Sequence, residues 1–481
     1  MSLPQVSTLP NGLRIVTDQM DGVETASLGI WVDVGTRDEP AEINGVAHLL
    51  EHMAFKGTER RSARAIAEEI ETVGGHLNAY TSREHTAYYA RILKDDVPLA
   101  VDLLSDILQN SVFDAEELTR ERTVILQEIG QALDTPDDLI FDHFQECAYP
   151  AQGLGRPVLG QEEIIRSIPR EAIAGYMHEH YGASRMVLSA AGAVDHDMLV
   201  ELAAARFGGL GDPPAIRPEA AHYVGGDRRE EKDLEQVHLV LGFPSVGFDD
   251  PDYYAAQLLS TLVGGGMSSR LFQEIREKRG LVYTIYAFGA AYKDGGLFGI
   301  YAGTGGLSVR DERRYALSLL DTMLGGGMSS RLFQEIREKR GLVYTIYAFG
   351  AAYKDSGIFG IYAGTGEDEV EELMPVLCGS LVETADTLTE AEIARTRAQL
   401  KASLLMGLES SSSRAEHYAN HMLIYGRPQA SAEIVRQIEA VDQAAVARVA
   451  RRIFAGAPTF TALGPIGKVE GFDRIARRLT P

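Results

Sequence analysis

Over its first 200 residues, the chain alternates between strand-like and helix-like spacing of apolar positions. Period-two alternation predicts strands at residues 13–17, 26–34, 76–81, 86–93 and 185–194. Apolar residues at helical spacing predict helices at 45–55, 62–73, 96–109 and 114–132. The last helix begins at Asp114, with Glu117 three residues later as a capping box.

The second half of the chain restarts the same kind of pattern after a break. Residues 208–232 carry Pro213, Pro214 and Pro218 and then a charged run, which marks a domain boundary. A strand at 237–243 and a helix at 252–262 follow. We therefore predict an α+β fold of two similar α/β halves, each a sheet with helices packed on one face. The expected domains are 1–210 and 233–481, joined by a linker at 211–232.

An internal duplication interrupts the second half. Residues 264–294 recur without change as 325–355, and the wider match of 264–305 to 325–366 has only two differences. The duplicated unit spans about 250–305 and 311–366. Solenoid repeats diverge and need several copies, so this pair indicates a recent duplication, an engineered insertion or an assembly error. One copy fits the sheet; the other must loop out, add to an edge or swap between chains.

Composition narrows the class of protein. The 481 residues, 45% hydrophobic and 24% charged, are typical of a soluble protein of several domains. The net charge of -23 argues against a nucleic-acid partner. It fits either a basic peptide ligand or solubility alone. The two cysteines give no disulfide framework, and no signal peptide or membrane-spanning run is found, so a cytoplasmic protein is expected.

Candidate chemistry is concentrated in the sequence His48-Leu49-Leu50-Glu51-His52. On a helix, residues four apart share a face, so both imidazoles and the Glu51 carboxylate point the same way. Two histidines at this spacing suit zinc, which needs a third protein ligand and an open position for catalysis. The pattern is the inverted form of a zinc-protease motif. The alternative is a helix with two structural histidines and a surface glutamate.

The helix at 114–132 offers the third ligand. Glu121 and Glu128 lie seven residues apart and therefore on one face. Glu128 lies among apolar residues, where a carboxylate is costly to bury unless it is paired or metal-bound, so it is the better ligand. Glu121 suits an outer role, holding a ligand histidine through its other ring nitrogen. The alternative, that both are solvated glutamates, stays open from this helix alone.

Three runs, INGVAHLLEHMAFKGT, GGHLNAYTSREHTAYYARIL and RERTVILQEI, resemble the pitrilysin (inverted zincin) family of metallopeptidases. The resemblance covers nearly the whole chain and is greatest to bacterial relatives of the mitochondrial processing peptidase β subunit. It implies that His48, His52 and Glu128 bind one zinc ion, that Glu51 is the base, and that residues 1–210 form the zinc-binding peptidase domain. It also implies mostly antiparallel sheets arranged as a half-clamshell.

The same resemblance suggests how substrate is bound. The family's Asn-Ala-aromatic strand matches Asn78, Ala79 and Tyr80, although the pattern alone fits an interior hairpin equally well. The family's substrate-gripping arginine and tyrosine match residues in the duplicated unit, namely Arg276 and Tyr283 or their copies Arg337 and Tyr344.

The expected activity is zinc-dependent endopeptidase cleavage of peptides or unfolded N-terminal segments in an enclosed chamber, whose acidic walls would favour basic substrates. A homodimer is expected. The alternatives are a non-catalytic core subunit of this family and a chain inactivated by its duplication.

Overall fold

A computed structural model of the chain describes residues 4–213, 220–234, 236–248, 250–264, 269–277, 284–292, 296–303, 348–352, 356–365 and 370–479. The described residues form two compact units. The first comprises those within Met1–Ala132, Gln152–Glu219 and Ser403–Ile434, and the second those within Leu133–Ala151, Ala220–Ala402 and Val435–Pro481. Each unit therefore contains segments from both halves of the sequence.

The part of the chain up to residue 207 forms strands and helices, and nine of these elements are the ones that the apolar pattern predicts. In chain order they are β1 (Gln5–Thr8), β2 (Arg14–Gln19), β3 (Thr25–Val32), α1 (Val46–Ala54), α2 (Ala63–Thr72), β4 (His76–Thr81), β5 (Thr86–Leu93), α3 (Val97–Gln109), α4 (Ala115–Asp134), α5 (Pro136–Ala148), α6 (Glu162–Ser167), α7 (Arg170–His180), β6 (Met186–Gly192) and α8 (His196–Phe207). Asp114 caps α4 by accepting from the N–H groups of Glu116 and Glu117.

After residue 207 the described elements are β7 (Gly226–Glu231), β8 (Val237–Ser245), α9 (Tyr253–Gly264), a helical turn (Phe272–Glu277), β9 (Thr284–Tyr292), β10 (Gly296–Gly303), β11 (Ala348–Ala352), β12 (Ser356–Thr365), α10 (Val370–Thr384), α11 (Glu390–Gly407), α12 (Ser411–Tyr425), α13 (Ser431–Ala440), α14 (Gln443–Phe454), β13 (Thr459–Gly464) and α15 (Phe472–Leu479). Short 3-10 turns connect several of these elements. Within the described residues, no helix is long and apolar enough to cross a membrane.

The first unit is built on a sheet of six described strands in the order β1-β2-β6-β3-β5-β4. All neighbours pair antiparallel except β2 and β6, which are parallel. One sheet face packs against α1, α3 and neighbouring helices, and its core includes Ile15 of β2 and Leu50 of α1. The fold class expected from the sequence, a mixed α and β fold with mostly antiparallel sheets, is confirmed.

The opposite face of this sheet is covered by α12, a helix from the C-terminal half of the sequence. Val16 and Trp31 point to this face and pack with Tyr418 and Met422 of α12. A buried ion pair of 2.9 Å between Asp18 and Arg414 fixes the helix to β2. The sequence pattern did not predict this second layer, because local spacing shows that a strand is apolar on both faces but not which distant helix covers it.

The second unit is built on a sheet in which seven strands are described, in the order β11-β12-β9-β10-β8-β13-β7. Helix α5 packs against β8, β13 and β7 of this sheet. Strand β7 pairs parallel with β13 and lies inside residues 211–232, where the sequence analysis expected only a linker. This edge strand is rich in charged residues, which are typical of exposed sheet edges and give little apolar alternation to detect.

Both copies of the duplicated unit contribute strands to this sheet at the same register. Ala302 of β10 and Ala363 of β12, which are equivalent in the repeat, both align with Leu239 of β8. Leu239 also pairs with Ala462 of β13. A strand has two edges, and β13 occupies one edge of β8, so the other edge is the one that remains for the two copies. The copies therefore compete for one position next to Leu239.

Candidate metal centre

The inverted histidine motif lies on α1, a short helix that packs its apolar side into the core. Leu49, Leu50 and Met53 are fully buried, which fixes how the helix is rotated about its axis. His48 and His52 are one helical turn apart, with ring centroids 4.6 Å apart. Both imidazoles therefore face the neighbouring helix α4, which supplies the candidate third ligand.

The structure brings Glu128 of α4 to the two histidines. Its Oε2 atom lies 3.7 Å from Nε2 of His48 and 3.7 Å from Nε2 of His52. The three candidate ligand atoms lie within 4.8 Å of one another, and no other such cluster occurs in the part of the chain that is described. Ligands of tetrahedral zinc bonded at 2.0–2.1 Å lie about 3.3 Å apart, so a small side-chain adjustment would let these atoms bind one zinc ion.

The protonation state of His48 suits metal binding. Burial, followed by the neighbouring His52, lowers the pKa of His48 to about 4. His48 is therefore neutral at physiological pH, as a metal ligand must be. Its Nδ1 atom is buried and has no hydrogen-bond partner among the described residues.

His52 is held by an outer carboxylate. Its Nδ1 lies 3.0 Å from Oε2 of Glu121, and the other Glu121 oxygen lies 2.7 Å from Nζ of Lys56. Burial acts to raise the pKa of Glu121, but the hydrogen bonds from Lys56 and His52 outweigh it and hold that pKa below its usual range. Because an ionised carboxylate only accepts, Nδ1 of His52 donates, and Nε2 keeps its lone pair for a metal. Glu121 was expected in this role from the sequence, whereas Lys56 was not.

Glu51, the candidate base, is held at the same site by Thr81. Its Oε2 accepts a 2.6 Å hydrogen bond from the Thr81 hydroxyl at the end of β4. Burial is the largest influence on Glu51 and raises its pKa, while the Thr81 hydrogen bond and His52 act in the opposite direction. A raised pKa moves a carboxylate toward the range in which a general base works at neutral pH. Thr81 was not expected at the site from the sequence, although alternation along β4 places it on the same side as Ala79.

Strand β4, with the candidate substrate-binding residues, is the last strand of its sheet. Within the described residues it has a strand neighbour only on the β5 side. The Ala79 N–H donates to the Asn78 side chain at 2.8 Å. The Tyr80 hydroxyl instead donates to Glu416 of α12 at 2.7 Å, on the opposite sheet face from Thr81.

The expected contacts from the second half lie outside the described residues. This applies to Tyr283, Arg337, Tyr344 and the side chain of Arg276, whose backbone belongs to the helical turn Phe272–Glu277.

Comparison with known proteins identifies the family of this chain. Residues 14–162 match the family model described as Insulinase (Peptidase family M16). The model of the Peptidase M16 inactive domain matches twice, at 167–309 and 305–400, as the duplication leads one to expect.

Individual proteins similar to this chain come from several organisms. The probable mitochondrial-processing peptidase subunit beta of Arabidopsis thaliana is 36% identical, covering 99% of this chain and 82% of the relative. An uncharacterized zinc protease of Rickettsia felis is 36% identical over 97% of this chain and 98% of its own length. The crystal structure of a Helicobacter pylori protease shares the fold, with a TM-score of 0.76 at 20% identity and coverage of 96% of this chain and 99% of that one.

These relationships confirm the resemblance seen in the sequence and point to a zinc metallopeptidase. The chain belongs to peptidase family M16.

Proposed function

We propose that this chain is a zinc-dependent endopeptidase whose metal site consists of His48, His52 and Glu128, with one ion per chain. The observation that carries the proposal is the convergence of Glu128 on both imidazoles from a separate helix, at 3.7 Å in each case. Two imidazole nitrogens and one carboxylate are a donor set typical of catalytic zinc. Bound zinc would polarise the scissile carbonyl and increase the acidity of water at the site.

Glu51 is the residue placed to move the proton. It lies on the same face of α1 as both histidines, and the Thr81 hydroxyl fixes one of its oxygens. With its pKa raised by burial, Glu51 takes a proton from the attacking water and returns it to the leaving amine. Thr81 belongs to β4, so the base and the candidate peptide-binding strand are connected directly.

The substrate is proposed to bind along the edge of β4 that faces away from β5. An extended peptide adds to such an edge through backbone hydrogen bonds, and the adjacent side chains provide selectivity. The Ala79 N–H, now bonded to the Asn78 side chain, would be offered to the peptide when Asn78 rotates. Tyr80 would contribute through its backbone, because its hydroxyl is bonded to Glu416.

The net charge of -23 favours basic peptides at low salt. Equal cleavage rates for arginine-rich and neutral peptides at low salt would contradict this preference. The enclosed chamber, the homodimer and the cytoplasmic location stay predictions.

The test is peptide hydrolysis by the wild type and by Glu51→Gln, with zinc content measured in both. We expect the variant to keep its zinc and lose its activity, because Glu51 is not a ligand. A variant as active as the wild type would contradict the role of Glu51.

The alternative, a non-catalytic core subunit of the same family, predicts a wild-type chain without zinc after purification in zinc-containing buffer. The complete ligand set favours the enzyme.

A further inference from the structure

The metal-binding helix α1 has an unusual beginning. It is only nine residues long, and its N-cap residue is Gly45, with φ of 94° and no side chain to cap the first turn. A helix leaves its first N–H groups without partners, and short helices depend on capping and packing for stability. His48 lies within this first turn, so the capping of α1 bears directly on a ligand.

The missing cap is supplied by Glu39, six residues before Gly45. Its Oε2 accepts from the Gly45 N–H and its Oε1 accepts from the Ala47 N–H, each at 2.8 Å. A carboxylate at a helix N-terminus also interacts favourably with the helix dipole. Glu39 is 3% exposed, so water cannot take over these hydrogen bonds. Burial raises the pKa of Glu39 to about 7, and the donors act in the opposite direction by stabilising its charge.

Residue 45 could not carry an ordinary capping side chain. A Cβ atom there would lie 2.6 Å from Ile165 Cδ1 and 2.8 Å from Gly160 Cα, at a backbone angle that favours glycine. Serine or aspartate, the common caps, are therefore excluded at this position. The acceptor has to come from elsewhere in the chain.

Glu39 is itself fixed at both ends. Its Oε2 also accepts from the Asn44 side chain at 2.8 Å, and the same amide donates to the Pro157 carbonyl at 3.2 Å. Its backbone carbonyl accepts from Arg156 at 2.7 Å. The carboxylate is therefore a rigid part of the first unit and can set the position of the helix end.

We propose that Glu39 is a positioning residue for the metal centre, which replaces the absent N-cap side chain of α1 and so fixes His48 for metal binding. This inference rests on the proposed zinc site and adds a residue that does not touch the metal. Nδ1 of His48 has no hydrogen-bond partner among the described residues, whereas His52 is held by Glu121. The orientation of His48 therefore depends more than that of His52 on the capping of the α1 N-terminus.

The test compares Glu39→Ala and Glu39→Gln with the wild type at a pH well above the pKa of Glu39. Zinc affinity is measured by chelator competition, and ligand geometry by the visible absorption of the Co²⁺ form. We expect Glu39→Ala to bind zinc about 10- to 100-fold more weakly, the range seen when an outer partner of a metal ligand is lost. Glu39→Gln keeps one acceptor oxygen and should lose less affinity. Both should alter the Co²⁺ spectrum.

Asp18→Ala is the matched control. Asp18 is also a buried carboxylate of the first unit, but it pairs with Arg414 on the opposite sheet face. We expect this variant to lower the free energy of unfolding and to keep wild-type zinc affinity and Co²⁺ absorption.

Folded Glu39 variants with wild-type affinity and spectrum would overturn the inference. An equal loss of affinity in Asp18→Ala would overturn it too, because the effect would then be general destabilisation. If Glu39→Ala does not fold, Glu39→Gln decides alone. The zinc measurements decide the role of Glu39 even if the wild type cleaves no peptide, so the two proposals fail separately.

Discussion

Replacing Glu121 by glutamine tests the outer support of the metal site. Glu121 holds Nδ1 of His52 at 3.0 Å and Nζ of Lys56 at 2.7 Å, and its side chain is only 8% exposed. Glutamine keeps the size of the side chain but removes its charge. One carboxylate oxygen becomes an NH₂ group, which is a donor and cannot accept from either His52 or Lys56. Water has little access to replace the lost acceptor.

The expected magnitude follows from these contacts. A hydrogen bond to a charged group contributes about 1.5–3 kcal/mol, which is about a 10- to 100-fold change in a binding constant. Loss of the outer partner of a metal-binding histidine lowers metal affinity by about the same factor. We therefore expect Glu121→Gln to bind zinc about 10- to 100-fold more weakly, measured by competition with a chromophoric chelator.

Glu116→Gln, on the same helix, is the control. The Glu116 side chain is 84% exposed and forms an exposed ion pair with Arg120, so its removal should leave zinc affinity unchanged. If Glu121→Gln and Glu116→Gln bind zinc equally well, the reasoning about His52 is wrong.

Three further predictions follow from other contacts. Thr81→Val should keep its zinc and lower kcat about tenfold, because a charge-assisted hydrogen bond to Glu51 is lost. In the pH profile of kcat/KM, the acidic limb of this variant should move to higher pH, because the lost hydrogen bond lowers the pKa of Glu51 in the wild type. Burial acts to raise the pKa of Asp106, but hydrogen bonds led by that from Arg61 outweigh it and lower this pKa to about 2. The ionised carboxylate should therefore stabilise the first unit by about 2 kcal/mol above pH 4, and this stabilisation should disappear as the pH falls to about 2. Asp106→Asn should lack this acid-dependent loss in urea unfolding followed by Trp31 fluorescence. Deleting residues 304–364, which joins Gly303 to Thr365 and leaves one copy, should keep zinc affinity and reduce aggregation in size-exclusion chromatography.

Each of these predictions has a contrary result. Wild-type kcat in Thr81→Val would show that Glu51 needs no support from β4. If Asp106→Asn lost the same stability in acid as the wild type, that loss would be due to other carboxylates. Weaker zinc binding after the deletion would show that the duplicated unit supports the metal site.

The sequence predicted the parts of the site that depend on local spacing. Four-residue spacing places His48 and His52 on one helix face. The burial argument for Glu128 is wrong, because the Glu128 side chain is 38% exposed and that of Glu121 is 8% exposed. It was the resemblance to the family that pointed to Glu128. Most elements of the first unit were predicted to within a few residues, because apolar periodicity and capping signals act over short distances.

The missed features depend on contacts between distant segments. Thr81, Lys56 and Glu39 carry no motif, and each gains its role only when a strand, a helix end or a loop folds against α1 or α4. The packing of α12 on the first sheet joins residues almost 400 positions apart, as the ion pair of Asp18 with Arg414 shows. No local pattern contains that information.

The central claim is one zinc ion held by His48, His52 and Glu128. It is tested most directly by a crystal structure of the zinc-loaded protein with anomalous diffraction recorded at the zinc absorption edge. The account predicts one strong peak about 2.0–2.2 Å from Nε2 of His48, Nε2 of His52 and a Glu128 oxygen. A zinc peak bound by other side chains, or a zinc-loaded crystal with Glu128 beyond bonding distance, would contradict it.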